Sequence, residues 1–330
     1  MSRSSFIIHY CAWVLLCAAS LAVVTLSSAQ EYPVRPIRMV VPYAAGGLPD
    51  TMLRLASGKM TEFLGQQVVV DNRPGAGGIG ACELVANGNP DGYTLLIVDV
   101  AQTAINPALY AKLPYSTLRD FAPVTLMGTS AQFLAANASV PANTLPELIK
   151  LAKAKPGQLS YGSGGIGSVH HLSMEALKNP LGLDIVHVPY KGNGVAIPAM
   201  IGGEVALVFS ALPAIEGHLK TGRVKLLAVN TLKRSPQAPN VPTVSEVTGI
   251  KDYDYPPAIG VLAPVKTPRA VVNRVADGIA RAVNYPDIAR RYTELGIEPV
   301  GNTPEQYAAQ IRVDIPKYAK AVKASGVKVE

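Results

Sequence analysis

Short apolar runs rich in β-branched residues alternate along this chain with stretches whose apolar positions recur every three to four residues. Ile37–Val41 is the first such run and reads as a strand buried on both faces. A glycine loop follows at 43–47. Leu53, Ala56, Met60, Phe63 and Leu64 then recur at helical spacing, which predicts a helix over 51–64 with Asp50 as its N-cap and Gly65 as its stop. The same reading places further strands at 67–70, 93–98, 124–127, 132–136, 159–161, 184–188, 205–209, 224–229 and 259–263. Helices are expected at 79–86, 145–155, 169–177, 267–284 and 286–296. Thr303, Pro304 and Gln306 spell the start of a last helix, with Pro316 expected to kink it. Such alternation argues for an α/β protein with mostly parallel sheets. Two sets of βα units joined by more than one crossing predict two lobes with a central cleft and a hinge. Lobe 1 is expected over 30–130 and 251–330, and lobe 2 over 131–250.

Two of the predicted strand–helix junctions carry candidate chemistry. The first is Tyr43-Ala44-Ala45-Gly46-Gly47, and the second is Ser163-Gly164-Gly165-Ile166-Gly167-Ser168. A strand end, a bare glycine loop and a helix start leave backbone N–H groups unpaired and converging. Reinforced by the helix dipole, that arrangement is a ready anion site.

The amino terminus changes the compartment. Arg3 is the only charged residue before Glu31, and an apolar core over 12–26 ends in Ser27-Ser28-Ala29. This pattern predicts a secretory signal over 1–29, cleaved after Ala29, and a periplasmic mature protein. Cys11 and Cys17 leave with the signal, so Cys82 remains alone and no internal disulfide is expected. The net charge of +7 is modest and spread along the chain. Lys150, Lys153 and Lys155 share one helix without interleaved aromatic residues, which argues against nucleic acid. No apolar seam for a coiled coil appears, and a monomer is expected.

Other motifs are weaker. Gly75-Ala76-Gly77-Gly78-Ile79-Gly80 matches G-x-G-x-x-G, and Asp99 follows at the end of the next predicted strand. Arg73-Pro74 separates this loop from its strand, and export removes the chain from soluble nicotinamide cofactors, so no cofactor is expected. His171 and Glu175 lie one helical turn apart without a third ligand at recognisable spacing, so no metal is expected. Neither Ser163 nor Ser168 sits in a G-x-S-x-G elbow, and nothing suggests an activated Cys82. No catalytic residue is assigned.

A series of motifs then points to a family. Tyr32-Pro33-Val34-Arg35-Pro36-Ile37-Arg38 leads into Val41-Pro42-Tyr43, and Val69-Val70-Asp71-Asn72-Arg73-Pro74-Gly75 and Pro90-Asp91-Gly92-Tyr93-Thr94 follow. Asn106-Pro107-Ala108-Leu109-Tyr110, His187-Val188-Pro189-Tyr190-Lys191-Gly192 and Val241-Pro242-Thr243 continue the order. Together they resemble the substrate-binding proteins of tripartite tricarboxylate transporters, the Bug family, over nearly the whole mature chain. The resemblance implies a type II-like Venus-flytrap receptor without catalytic activity, which hands a small solute to the permease subunits of a membrane transporter. It also implies a small organic carboxylate held by backbone amides. The loop at Tyr43, Ala45, Gly46 and Gly47 would hold one side, and Ser163, Gly164, Gly165, Ile166 and Ser168 the other. Asp99, Ala101, Gln102 and Tyr190 would line the pocket.

The chain departs from the family pattern at three points. Ala45 stands where proline is common, Asp99 where a small hydroxyl or glycine is usual, and Ser210 where an aspartate often follows Phe209. An Asp99 facing the cleft would repel a second ligand carboxylate and favour a donor or a cation; Ser210 argues for a less acidic far wall. Two other functions use the same cleft: a ligand sensor for a signalling partner, and an exported hydrolase.

Overall fold

The structure, a computed structural model, describes residues 32–327. The signal reading over 1–29 lies outside the described residues. From Arg35 onward the chain forms one compact unit containing two sheets, each with helices on its faces. The six-stranded sheet runs in the order β11-β4-β10-β3-β1-β2 and the five-stranded sheet in the order β7-β6-β8-β5-β9. In the first are β1 (Ile37–Val41), β2 (Val68–Asn72), β3 (Thr94–Val98), β4 (Phe121–Thr129), β10 (Ala258–Pro264) and β11 (Glu298–Pro299). The second holds β5 (Phe133–Asn137), β6 (Leu159–Ser163), β7 (Ile185–Pro189), β8 (Leu207–Ser210) and β9 (Val224–Val229). The six-stranded sheet belongs to one lobe, lobe 1, and the five-stranded sheet to the other, lobe 2.

Central strands are buried on both faces because helices cover each side of the sheet. Leu95 to Val98 of β3 and all of β10 are buried, which is why these segments read as unbroken apolar runs. The helices that follow strands present one apolar stripe each. In α1 (Leu48–Leu64) that stripe is Met52, Leu53, Ala56, Met60 and Leu64. The others that matter for the site are α2 (Ile79–Ala86), α3 (Leu145–Ala154), α4 (Val169–Leu181) and α5 (Asn193–Gly202). Near the carboxyl end lie α6 (Arg269–Val283) and α7 (Pro304–Ser325); the latter carries the expected Thr303–Gln306 capping box. It continues through Pro316 as one helix and packs against α4 of lobe 2. Each fully buried Leu, Ile or Val side chain contributes roughly 1.5–3 kcal/mol.

Two expectations are corrected. The sheets are mixed rather than mostly parallel: β1 pairs in parallel with β2 and β3, but β10 runs antiparallel to both β3 and β4. Likewise β6 is parallel to β7 and β8, whereas β5 is antiparallel to β8 and β9. The cause is the crossing of the chain between lobes. A strand within a βα unit ends at the cleft, but β5 and β10 enter their sheets from the other lobe, begin at the cleft, and so run the opposite way. The second correction concerns Asp50, which sits in the first turn of α1 rather than capping it; Gly47 is the cap. Pro49 makes the earlier start possible, since a first-turn residue has no intrahelical use for an N–H.

Candidate functional site

Strands β1, β2 and β3 of lobe 1 and β6, β7 and β8 of lobe 2 end at one place. The segments after them line a cleft of about 680 Å³, with Ser130, Gln132 and Pro257 of the interlobe crossings in its wall. Open α/β sheets bind ligands at the carboxyl ends of strands for this reason: loops and helix starts converge there.

In lobe 1 the first loop is braced from behind. Asp50, only 1 % exposed, accepts hydrogen bonds from the Gly46 N–H at 2.8 Å, from Arg54 at 2.9 Å and from Asn72 at 2.9 Å. Burial works against its charge, but the bonds from Arg54, Gly46 and Asn72 outweigh that and hold its carboxyl below the usual range. Gly47 N–H is spent on the Ala44 carbonyl. The loop therefore presents Tyr43, Ala44 and Leu48 to the cleft.

Buried Gln102 ties this wall together. Its Oε1 accepts the Asp99 N–H at 3.1 Å, and its Nε2 donates to the Gly77 carbonyl at 3.1 Å and to the Tyr43 oxygen at 3.0 Å. Asn106 donates to the same Gly77 carbonyl at 3.0 Å. Asp99, just beyond β3, accepts the Ala101 N–H at 2.6 Å and a bond from the Tyr43 hydroxyl. Burial raises the Asp99 carboxyl above its ordinary value, and these two donors pull the other way. Burial and the neighbouring Asp99 push the Tyr43 phenol well up, so it stays protonated.

In lobe 2 the glycine loop opens α4. Ser168 caps the helix by accepting the His171 N–H, and His171 Nδ1 accepts the Gly167 N–H at 3.2 Å. The first two N–H groups of α4, at Val169 and His170, have no intrahelical acceptor, and both residues line the cleft. Asn193, first residue of α5, lies in the same wall. Two helix dipoles thus bring their positive ends to one side of the cavity. Burial pushes His170 down to about 4, so its imidazole is neutral at pH 7.

Among the residues expected from sequence, Tyr43, Asp99, Ala101, Gln102, Gly164, Ile166, Ser168 and Ser210 line the cleft. Ala45, Gly46, Gly47, Ser163, Gly165 and Tyr190 do not, and each is displaced by a specific contact or position. Ala45 and Gly46 lie on the exposed outer side of their loop, with Gly46 turned to Asp50, and Gly47 caps α1. Ser163 is fully buried, with its Oγ 2.7 Å from His187 Nε2, and it also accepts the Gly165 N–H. The Gly165 carbonyl is turned to the Ser168 N–H. Tyr190 donates its N–H to the Ser163 carbonyl and lays its ring against Gly162. Conversely, sequence reasoning set aside 75–78 as a formal nucleotide motif, yet these residues form part of the wall. Their position after β2, equivalent to the other two loops, was the available signal. Asn106, Tyr110, Gln132 and Asn193 were missed altogether.

Cys82 is buried, and burial pushes its thiol up to about 12. Among the described residues no three side chains are grouped to hold a metal ion, and no helix is long and apolar enough to cross a membrane.

Known proteins share this chain's sequence and architecture. Protein BugT of Bordetella pertussis is 34% identical over 304 residues, covering 92% of this chain and 93% of BugT. Among solved structures, the periplasmic binding protein BugD is 32% identical and superimposes with a TM-score of 0.76, covering 91% of this chain and all of BugD. Rpa4515 of R. palustris, solved with adipate, is 32% identical with a TM-score of 0.78, covering 90% of this chain and 99% of its own. The two lobes around a cleft are thus the periplasmic-binding-protein fold. Residues 52–327 match the family described as tripartite tricarboxylate transporter family receptor, and the chain belongs to that family.

Proposed function

We propose that this chain is a periplasmic receptor that closes its two lobes, 30–130 with 251–330 and 131–250, on a small carboxylate-bearing ligand. It then presents the closed form to the permease subunits of a tripartite transporter. The observation that carries the reading is the lobe 2 wall. There the unpaired N–H groups at the starts of α4 and α5 border a cavity of small-molecule size. Adipate in Rpa4515 is a ligand of that class. Neutral backbone donors hold a carboxylate without a salt bridge, and closure strengthens them by excluding water. Export through the 1–29 leader supplies the compartment.

One observation touches the hydrolase alternative. Ser163 and His187 are within hydrogen-bond reach, as a nucleophile and its base would be. Ser163 is fully buried behind the wall and its Oγ already bridges the Gly165 N–H and carbonyl, so a substrate in the cleft does not meet it. We therefore expect binding without turnover.

Native mass spectrometry of the mature protein, purified gently from the periplasm, tests the reading. A bound mass matching a small carboxylic acid, lost after partial unfolding and dialysis, is expected. An empty protein that no carboxylate stabilises against heat would overturn it.

A further inference from the structure

Among the described residues, Asp99 is the only Asp, Glu, Lys or Arg in the cleft wall. Its surroundings are fixed. Ala101 N–H and the Tyr43 hydroxyl donate to its carboxylate. The Tyr43 oxygen accepts from Gln102 Nε2 at 3.0 Å, and its proton is shared between Asp99 and Gln102 Oε1, which lies 3.2 Å away. A carboxylate has about four acceptor positions, and these two donors fill half of them. No lysine, arginine or histidine pairs with it among the described residues.

An anion enclosed between two lobes without a counter-charge is costly unless a ligand supplies one. A second ligand carboxylate near Asp99 would add like-charge repulsion in a site of reduced dielectric. A protonated amine there would supply both the missing charge and the missing donors. The opposite wall, with the Val169, His170 and Asn193 N–H groups, favours the carboxylate. The two walls call for opposite ends of one molecule.

We propose that Asp99 is a specificity-determining residue that pairs with a protonated amine on the ligand, so that the cleft selects amino-substituted carboxylic acids over di- and tricarboxylic acids. The proposal rests on the carboxylate-receptor reading above. It has one sharp rival on the same geometry: a protonated Asp99 would donate to a second ligand carboxylate and favour dicarboxylates.

Calorimetry on the ligand-stripped mature protein at pH 7 separates the two. The probes are matched pairs in which an ammonium replaces a carboxylate: 4-aminobutyrate with glutarate, 5-aminopentanoate with adipate, 6-aminohexanoate with pimelate. Alanine with methylmalonate and 2-aminobutyrate with ethylmalonate cover the α-substituted case. In at least one pair the amine is expected to bind about tenfold tighter or more, and Asp99→Asn to bring that ratio close to one or invert it. Asp99→Ser serves in its place if the asparagine variant does not reach the melting temperature of the native protein. Dicarboxylates binding as well as their amine partners in every pair, or an unchanged ratio in the variant, would overturn the proposal while leaving the receptor reading intact. Binding of no member of any pair would overturn both.

Discussion

Gly78 holds φ +80°, and a Cβ there would lie 2.7 Å from the Pro42 Cβ and 3.0 Å from the Gln102 Nε2. Pro42 is anchored in the first loop and Gln102 is bonded to three partners, so neither can yield cheaply. Gly78→Ala is expected to lower stability by about 1–3 kcal/mol through left-handed strain and overpacking. It should also weaken ligand binding, because Gln102 orients both Tyr43 and Asp99. Gly46→Ala is the control: at φ +86° with open space around it, only the backbone term of roughly 1 kcal/mol applies. Urea titration and calorimetry of both variants check this, and equal effects would show that the Pro42–Gln102 contact carries nothing. The sequence showed a glycine cluster at 75–80 but not its reason. That reason is a side chain arriving from beyond β3, and contacts between residues distant in sequence leave no local pattern.

At the scale of elements, the glycine loop of lobe 2 stands on a stack of rings from β6, β7 and α4. The His187 ring stacks on His171 at 4.0 Å and on Tyr161 at 4.7 Å, while its Nε2 holds Ser163 at the loop's first residue. Burial pushes His187 down to about 4 and lowers His171 as well; Glu175 facing the pair favours protonation and Lys178 opposes it. Unfolded histidine titrates near 6.5. Between about pH 6.5 and 4 the unfolded chain therefore binds more protons than the folded one. The contribution is complete above about 6.5 and is lost as pH falls toward 4. The urea midpoint should drop across that window, and His187→Phe should flatten the profile while His170 and His171 keep part of it. A profile of undiminished slope in the variant would refute this account. Most of these elements were legible, because strands buried on both faces and helices with one apolar stripe write their periods into the chain. Strand direction was not, since it depends on the lobe from which the chain arrives. The start of α1 was missed because Asp50 looks like a cap, when it is a brace held by Arg54 and Asn72.

For the molecule as a whole, the proposed receptor function requires the lobes to open and close about the crossings, and Asn230 knits those crossings together. Asn230, fully buried, accepts the Gln132 N–H through Oδ1 at 2.9 Å and donates through Nδ2 to the Tyr255 carbonyl at 2.8 Å. Its backbone bonds the same two residues, and Ser130 N–H reaches the Pro257 carbonyl at 3.0 Å. Across the cleft, Leu109 of lobe 1 lies so close to Gly167 of lobe 2 that a Cβ on that glycine would sit 2.6 Å from it. The lobes are thus in contact beside the cavity. Asn230→Ala leaves the buried Gln132 N–H without its side-chain acceptor, at about 1–3 kcal/mol, and leaves the Tyr255 carbonyl only the longer bond from the Ser173 hydroxyl at 3.4 Å. If Asn230 also fixes the path of closure, the variant must spend ligand binding energy on finding the closed arrangement, and its Kd rises although no cleft residue has changed. Ligand at 100 times Kd stabilises the native protein by about 2.7 kcal/mol, so the loss is readable as a smaller ligand-induced Tm shift at fixed concentration. Small-angle scattering adds the geometry: the native protein should contract on saturation, and the variant should contract less or only at higher ligand concentration. A variant that is merely less stable, with Kd and contraction unchanged, would make Asn230 an anchor of the fold and leave closure to other residues of the crossings.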